Sequence, residues 1–242
     1  MKNWYRDQIA HYESSDSYFR IYSPGKESLH VNQEFNRFID FLRIPENSKI
    51  LEVGCGDGRF TKYLLHRGYK VTALDLSENI IDRIRQGIKG SQYEQNLKLY
   101  VGNLEKLPFP ENTFDACVCV HVLHHTENIE KSVGEMARVI KKSGIVGFIE
   151  PNPYCPYWYF FIPICRCRKW AIEKGLIRCS GKKLQKIMER AGLSSIDRKK
   201  FGFIPSAIMK NNKFLARIEM ILGETPIFNN LAGAHFFRGI KK

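Results

Sequence analysis

The chain has 242 residues, of which 43% are hydrophobic and 26% charged, so it is long enough for one α/β domain whose core needs no disulfide bonds. It contains neither an apolar run long enough to span a membrane nor an N-terminal apolar segment with a basic flank, and we therefore expect a cytoplasmic protein. The net charge of +13 lies in residues 166–242, which hold 18 Lys and Arg against 5 Asp and Glu, whereas residues 1–165 hold 20 against 20.

Residues 1–48 are predicted to form an N-terminal helical cover. Aromatic residues are frequent near its start: Trp4, Tyr5, Tyr12, Tyr18, Phe19 and Tyr22. Two interpretations stay open, because such a segment can fold over a bound ligand or simply pack on the main domain as a helix.

Residues 49–58 read KILEVGCGDG and predict a buried strand that ends in a glycine-rich turn before a helix. Gly54, Gly56 and Gly58 leave the turn without side chains, so a flat ligand can lie beside the first N–H groups of the helix. A dinucleotide site would need a glycine where Arg59 stands, and no Gly-Lys-Ser/Thr follows. The turn therefore indicates a nucleoside site, with a tight turn that binds nothing as the alternative.

A second predicted strand, residues 70–77, contains Asp75 at its carboxyl end. Asp75 follows the glycine turn by about twenty residues, where folds of this kind place an acid that binds ribose hydroxyls. The alternative is that Asp75 caps the next helix, but Ser77 is better placed for that role. We favour the ribose interpretation.

Two further strands and a histidine-rich segment follow. The third predicted strand ends at Gly102, and the fourth, from Phe114, is almost wholly apolar and so covered on both faces. After it comes the sequence His-Val-Leu-His-His-Thr-Glu-Asn from residue 121, then a helical pattern and a fifth strand over residues 144–150.

These segments, in this order and spacing, resemble the class I S-adenosylmethionine-dependent methyltransferases over about residues 36–151. The Val-Leu-His-His and Thr-Glu-Asn stretch resembles the branch that includes ubiquinone and menaquinone methyltransferases. The resemblance implies a single domain with a doubly wound, Rossmann-like seven-stranded α/β sheet in the order 3-2-1-4-5-7-6, whose last strand is antiparallel.

The resemblance also implies a set of residues that bind S-adenosyl-L-methionine. They are Glu52, Gly54, Cys55, Gly56, Asp75, Leu76, Asn103, Leu104, Val120 and His121. The family usually has an aspartate at the position of Asn103, where it accepts from the adenine amino group. An Asn carbonyl can accept the same hydrogen bond. The alternative is that Asn103 caps a turn.

The methyl group of this cofactor is already activated, so catalysis mainly requires in-line alignment and exclusion of water, without a metal. A general base helps when the acceptor is a hydroxyl or an acidic carbon. His121 and His124 are the preferred candidates for that base, ahead of His125 and Glu150. Each histidine can instead be structural, bonded to a backbone carbonyl.

Residues 151–179 are predicted to form an aromatic lid. Six residues of the stretch 151–164 are aromatic and four are proline, so it cannot be one regular helix. Its aromatic rings could stack a nucleobase, line a pocket for an apolar chain or enter a bilayer interface. The alternative is a lid packed on its own domain.

Residues 180–242 form the basic part that completes the sheet around the cofactor core of residues 49–150. A helix capped by Ser180 and closed by Gly192 is followed by strand six over residues 194–203 and strand seven over 233–240. Residues 204–231 are predicted to be an insertion with a helix at 214–222.

Seven cysteines, an odd number without a regular framework, are consistent with a cytoplasmic protein. Four of them, Cys155, Cys165, Cys167 and Cys179, could hold zinc, but no Cys-x-x-Cys pair occurs. We predict no metal.

Two acceptor classes and a non-catalytic role remain open. The favoured acceptor is a small or lipid-linked, anionic or amphipathic molecule. The protein would then make peripheral contact with an anionic membrane surface, such as the inner membrane face. The alternative is RNA, including tRNA, with phosphates on Lys182, Lys183, Lys186, Arg198, Lys199 and Lys200. The third possibility is a cofactor-binding subunit that supports a partner enzyme.

Overall fold

The structure, a computed structural model, describes residues 3–14, 29–164, 170–204, 212–224 and 232–242. Its seven strands are β1 Lys49–Val53, β2 Lys70–Asp75, β3 Leu97–Val101, β4 Phe114–Val120, β5 Ile140–Pro151, β6 Leu193–Phe201 and β7 Ala234–Lys241. They form one sheet in the order β3-β2-β1-β4-β5-β7-β6, and β7 runs antiparallel to both of its neighbours. The predicted fold class and sheet order are therefore confirmed.

Helices cover both faces of this sheet. They are α1 Asn3–Ser14, α2 Leu29–Leu42, α3 Arg59–His66, α4 Glu78–Ile88, α5 Ile129–Val139, α6 Pro156–Ile164, α7 Trp170–Glu173, α8 Gly181–Arg190 and α9 Lys213–Glu224. Helices α2, α3 and α4 bury Phe38, Leu64 and Ile81 in one core, while α5 and α8 bury Met136 and Leu184 in another. Alternate residues of the central strands point into the two cores, so the strands are apolar on both faces.

The structure differs from the prediction at the start of β5 and at the cap of α8, and it agrees with it for the stretch 151–164. Strand β5 begins at Ile140, four residues before the expected start, and Ile140 pairs there with Phe114 of β4. Ser180 stands at the N-cap of α8, but its side chain makes no capping hydrogen bond. The stretch 151–164 is not one helix, as predicted, because α6 starts only at Pro156, a position that tolerates proline.

Parts of three predicted segments lie outside the described residues. Tyr18, Phe19 and Tyr22 of the N-terminal segment are among them, and so is the side chain of Trp4. Cys165, Cys167 and most of the connections on either side of α9 are outside as well. No helix in the described ranges is both long and apolar enough to cross a membrane.

Candidate active site

The turn between β1 and α3 requires glycine for backbone reasons. Gly54, Gly56 and Gly58 have φ angles of 68°, 52° and 75°, in the left-handed region that other residues rarely adopt. A β-carbon added at Gly54 would lie 2.5 Å from the Val122 Cγ2 atom, whereas one added at Gly56 would meet no atom within 4 Å. The turn is thus packed against the loop after β4 at Gly54 and open at Gly56.

Asp75 ties the end of β2 to this turn. Its Oδ2 atom accepts from the Gly56 N–H at 2.9 Å, and its Oδ1 atom accepts from the Ser77 N–H at 3.1 Å. Burial raises the pKa of Asp75 above its usual value, and the backbone donors oppose that rise. Ser77, as expected, caps α4 by accepting from the Ile80 N–H. The ribose role of Asp75 stays a prediction.

Glu52 is a second carboxyl group under the turn. It is buried, and desolvation together with the charges of Asp57 and Asp75 raises its pKa to about 8. Arg59 forms an ion pair with Asp57 at 2.7 Å. Acidic side chains therefore lie under the turn, but Glu52 itself is mostly protonated, and so neutral, at physiological pH.

Asn103 closes a turn after β3. Its Oδ1 atom accepts from the Glu105 N–H at 2.8 Å, the geometry of a turn cap. That contact corresponds to the alternative weighed for this residue, and the adenine contact of Asn103 and of the neighbouring Leu104 N–H stays a prediction. A carbonyl oxygen has two lone pairs, so the cap does not prevent a second hydrogen bond.

The loop after β4 is held by one carboxylate. Glu150, fully buried at the end of β5, accepts from the N–H groups of Val122 and Leu123 at 3.0 and 2.7 Å. Its Oε2 atom also lies 2.6 Å from His124 Nδ1, while Glu173 Oε2 lies 3.3 Å from His124 Nε2. Burial opposes a charge on His124, but the two carboxylates outweigh it and raise its pKa to about 9.

His121 differs from His124 in its surroundings. It is one-third exposed, and its φ angle of 57° lies in the left-handed region. Its backbone N–H donates to the Ile149 carbonyl at 2.8 Å. Its Nε2 atom lies 3.7 Å from Glu34 Oε1, on α2.

The predicted cofactor-binding residues and the two preferred base candidates line one cavity of about 220 Å³ at the carboxyl ends of β1, β2 and β4, whereas Glu150 is not among its lining residues. The cavity-lining residues include Glu52, Gly54, Cys55, Gly56, Asp75, Leu76, Asn103, Leu104, Val120, His121 and His124. Their assigned roles stay predictions, since the cavity shows only that these residues come together. This edge of an open α/β sheet is where ligands bind.

Helix α1 forms the outer wall of the cavity. Tyr5 donates a hydrogen bond to Glu105, and the Tyr12 hydroxyl lies 2.8 Å from His125 Nε2. Burial and the Glu105 carboxylate raise the pKa of Tyr5. The aromatic residues of the N-terminal segment were the signal for this cover. No comparable sequence pattern points to other lining residues, which include Gln8, Ile9 and Phe35.

One side-chain cluster beside the cavity has metal-ligand chemistry. Ligand atoms of His124, His125 and Glu173 lie within 4.8 Å of one another. Both ring nitrogens of His124 already face carboxylates, so a cation there would compete with its proton. The predicted absence of a metal stays a prediction. Of the four cysteines considered for zinc, Cys155 and Cys179 are described, and both are buried thiols.

Comparisons with known proteins bear on this site. Residues 51–148 match the methyltransferase-domain family model. The chain is 28% identical over 173 residues to demethylmenaquinone methyltransferase of Symbiobacterium thermophilum. The aligned region covers 65% of each chain. It is 32% identical over 110 residues to sterol 24-C-methyltransferase ERG6B of Gibberella zeae, covering 45% of this chain and 29% of that protein. The chain thus spans less than two thirds of the length of these relatives.

Solved structures share the fold. Phosphoethanolamine N-methyltransferase 2 of Haemonchus contortus, in complex with S-adenosyl-L-methionine, has a TM-score of 0.70 and 14% identity, covering 98% of this chain and 60% of that one. A S-adenosylmethionine-dependent methyltransferase of Archaeoglobus fulgidus has a TM-score of 0.62 and 15% identity, covering 87% and 93%. The cyclase SpnF has a TM-score of 0.64 and 16% identity, covering 91% and 85%. At these identities the likeness shows the fold alone.

Proposed function

Because the chain belongs to the class I S-adenosylmethionine-dependent methyltransferases, we propose that it transfers the cofactor's methyl group directly to a small or lipid-linked acceptor. One observation carries the proposal: the glycine turn, Asp75 and the loop after β4 meet at a single cavity, within the matched domain. The fold alone would not suffice, since a cyclase shares it.

The residues present fit the cofactor. At Gly56 the turn is open, with no atom within 4 Å of an added β-carbon, so a ligand can approach the backbone there. Asp75 keeps lone pairs for the ribose hydroxyls beyond the two backbone bonds it accepts. Asn103 and the Leu104 N–H would hold the adenine at the adjoining wall. The bound cofactor supplies an activated methyl group, and α1 excludes water from it.

The proposed acceptor has an apolar part. Two relatives act, by their names, on demethylmenaquinone and on sterols, which are largely apolar molecules. Aromatic residues are also exposed beyond β5: Tyr154 is 70% and Phe160 71% exposed, and the rings of Tyr159 and Trp170 lie 5.8 Å apart. Since tyrosine and tryptophan favour membrane interfaces, we propose that this surface contacts an anionic membrane that carries the acceptor.

One groove favours the RNA alternative. Helix α2 and β6 form its walls, and its cationic residues are Arg37, Arg43, Arg198, Lys199 and Lys200. However, Asp40 and Asp197 line the same groove, and lysines on an edge strand also prevent pairing with other sheets. The groove also shares no lining residue with the cavity in the part of the chain that the structure describes. We therefore keep RNA as the second candidate.

Methyl transfer is tested directly with cofactor carrying a radiolabelled methyl group. The purified chain is incubated with a detergent-solubilised lipid extract, with small soluble metabolites and with bulk RNA from the same cells. We expect label in the lipid fraction. Label in RNA alone would establish the second candidate, and label in no fraction, despite cofactor binding by calorimetry, would favour a non-catalytic role.

The membrane surface is tested by sedimentation with vesicles of phosphatidylcholine and phosphatidylglycerol. We expect the wild type to sediment with these vesicles and the double variant Tyr154→Ser, Phe160→Ser to remain in solution. Tyr100→Ser is the matched control, because Tyr100 is a half-exposed aromatic residue on β3, at the opposite edge of the sheet. Equal sedimentation of all three proteins would refute the aromatic contact.

A further inference from the structure

We propose that Glu34 positions His121 as the general base of the reaction, so that the acceptor is one whose reacting oxygen or carbon gives up a proton. The inference rests on the proposed methyl transfer and narrows its substrate class. It assigns a role to Glu34, a buried carboxyl group on α2 that belongs to none of the motifs of the cofactor site.

The backbone fixes the position of the His121 ring. The His121 backbone is in the left-handed conformation, which non-glycine residues adopt rarely. The hydrogen bond from the His121 backbone N–H to the Ile149 carbonyl stabilises this conformation. The next residue, Val122, packs directly against Gly54 and is held through its N–H by Glu150. His121 therefore stands at the cavity wall, beside the end of the glycine turn.

Glu34 faces one nitrogen of this ring. Its Oε1 atom lies 3.7 Å from His121 Nε2, and hydrogen bonds of catalytic groups are commonly this long before substrate binds. Burial raises the pKa of Glu34, but His121, His30 and Arg59 outweigh burial and hold that pKa below its usual value. An ionised carboxylate at this place favours a proton on Nε2.

The other ring nitrogen is then left as the base. With the proton on Nε2, the Nδ1 atom carries the lone pair; this atom is buried at the cavity wall, and the described residues offer it no hydrogen-bond partner. In this arrangement the Glu34 carboxylate selects the tautomer with the proton on Nε2 and stabilises the positive charge that forms on the His121 ring when Nδ1 takes a proton. Other ionisable groups lining the same cavity include Glu52, Asp57, Arg59, Asp75, His124 and His125.

His124 cannot serve as well. Its two nitrogens face Glu150 and Glu173, it is almost fully buried, and it keeps its proton at neutral pH. A protonated imidazole has no lone pair to accept with. Of the two histidines predicted as bases, the geometry thus points to His121.

The proposed step is balanced. His121 Nδ1 takes the proton of the acceptor while the acceptor's oxygen or carbon forms a bond to the methyl carbon. The bond from that carbon to sulfur breaks, and its electron pair stays on sulfur, which becomes neutral. The positive charge passes to the His121 ring, where Glu34 compensates it.

Kinetics separate positioning from folding. At saturating cofactor, with the lipid extract as acceptor, we expect His121→Gln to lower the transfer rate by about a hundredfold or more and Glu34→Gln by about tenfold or more. Cofactor affinity of Glu34→Gln should stay within about twofold of the wild type, because Glu34 is not one of the cofactor-binding residues, so a loss of rate in this variant is not a loss of cofactor binding. The control Asp40→Asn, an exposed carboxylate on the same helix, should transfer at the wild-type rate.

Two further measurements do not depend on how well each variant packs. The variant His121→Gly, which suits the left-handed backbone, should regain activity when imidazole is added. In nitrogen-15 NMR of the wild type, assigned with His121→Gln, the neutral His121 ring should carry its proton on Nε2. A proton on Nδ1, or variants of Glu34 and His121 as active as the wild type, would overturn the inference while leaving methyl transfer intact. A wild type that binds cofactor but labels no acceptor would overturn both.

Discussion

Substitution by alanine should affect different properties of the protein at two glycines of the same turn, Gly54 and Gly56. At Gly54 an added β-carbon would sit 2.5 and 2.7 Å from the two Val122 methyl groups, whereas at Gly56 it would point into open space. We expect Gly54→Ala to lose the larger amount of folding stability, and Gly56→Ala to lose cofactor binding at a smaller cost in stability, because the space beside Gly56 is the space the cofactor would use.

The magnitudes follow from the backbone and the contact distances. A left-handed alanine costs about 1–2 kcal/mol relative to glycine, and both positions incur this cost. Gly54→Ala adds an overpacking cost of about 1–3 kcal/mol, since Val122 is held by Glu150 and cannot move away freely. The free energy of unfolding should therefore fall by about 2–5 kcal/mol for Gly54→Ala and by about 1–2 kcal/mol for Gly56→Ala.

Denaturant unfolding in the absence of ligand measures the first effect, and calorimetric titration with S-adenosylmethionine measures the second. We expect Gly56→Ala to bind the cofactor at least about tenfold more weakly, a loss of about 1.4 kcal/mol. If the two variants unfold at the same denaturant concentration, or if Gly56→Ala binds the cofactor as the wild type does, the packing argument or the assignment of the open space is wrong.

Three other predictions concern single contacts. Asp75→Ala should weaken cofactor binding by about tenfold or more in calorimetry, and unchanged affinity would remove the ribose role. Tyr5→Phe should speed cofactor dissociation in stopped flow, because the hydrogen bond to Glu105 is lost, and an unchanged rate would show that the contact does not hold α1. Since the pKa of His124 is raised from 6.5 to about 9, its stabilising contribution is present below pH 6.5 and is lost as the pH rises through 9. Thermal unfolding should show this loss in the wild type, and Glu173→Gln should reduce it.

The central sheet could be predicted because its strands are uniform apolar runs between clear turns. The start of β5 could not, since Lys141, Lys142 and Ser143 are exposed and polar and do not resemble a buried strand. Pairing of Ile140 with Phe114, far away in the chain, decides that boundary. Such pairing is a tertiary effect, and local pattern does not record it.

The candidate site likewise contains residues that could be predicted from the sequence and residues that could not. Residues at the end of a strand or directly after it, such as Asp75 and His121, are placed by the sheet order and could be assigned to one edge. Partners that arrive from distant helices could not be found in this way. Glu34 and Glu173 decide how the two histidines differ, yet nothing near them in the sequence connects them to a histidine loop.

The contacts of α1 have a consequence for turnover. Its side chains reach the rest of the domain through hydrogen bonds: Tyr5 with Glu105, Glu13 with Ser77, and Gln8 with a backbone carbonyl. Each such bond can be exchanged for one with water at a net cost of about 0.5–1.5 kcal/mol. We therefore expect α1 to move away from the cavity when the spent cofactor leaves, and to return to it when a new cofactor binds.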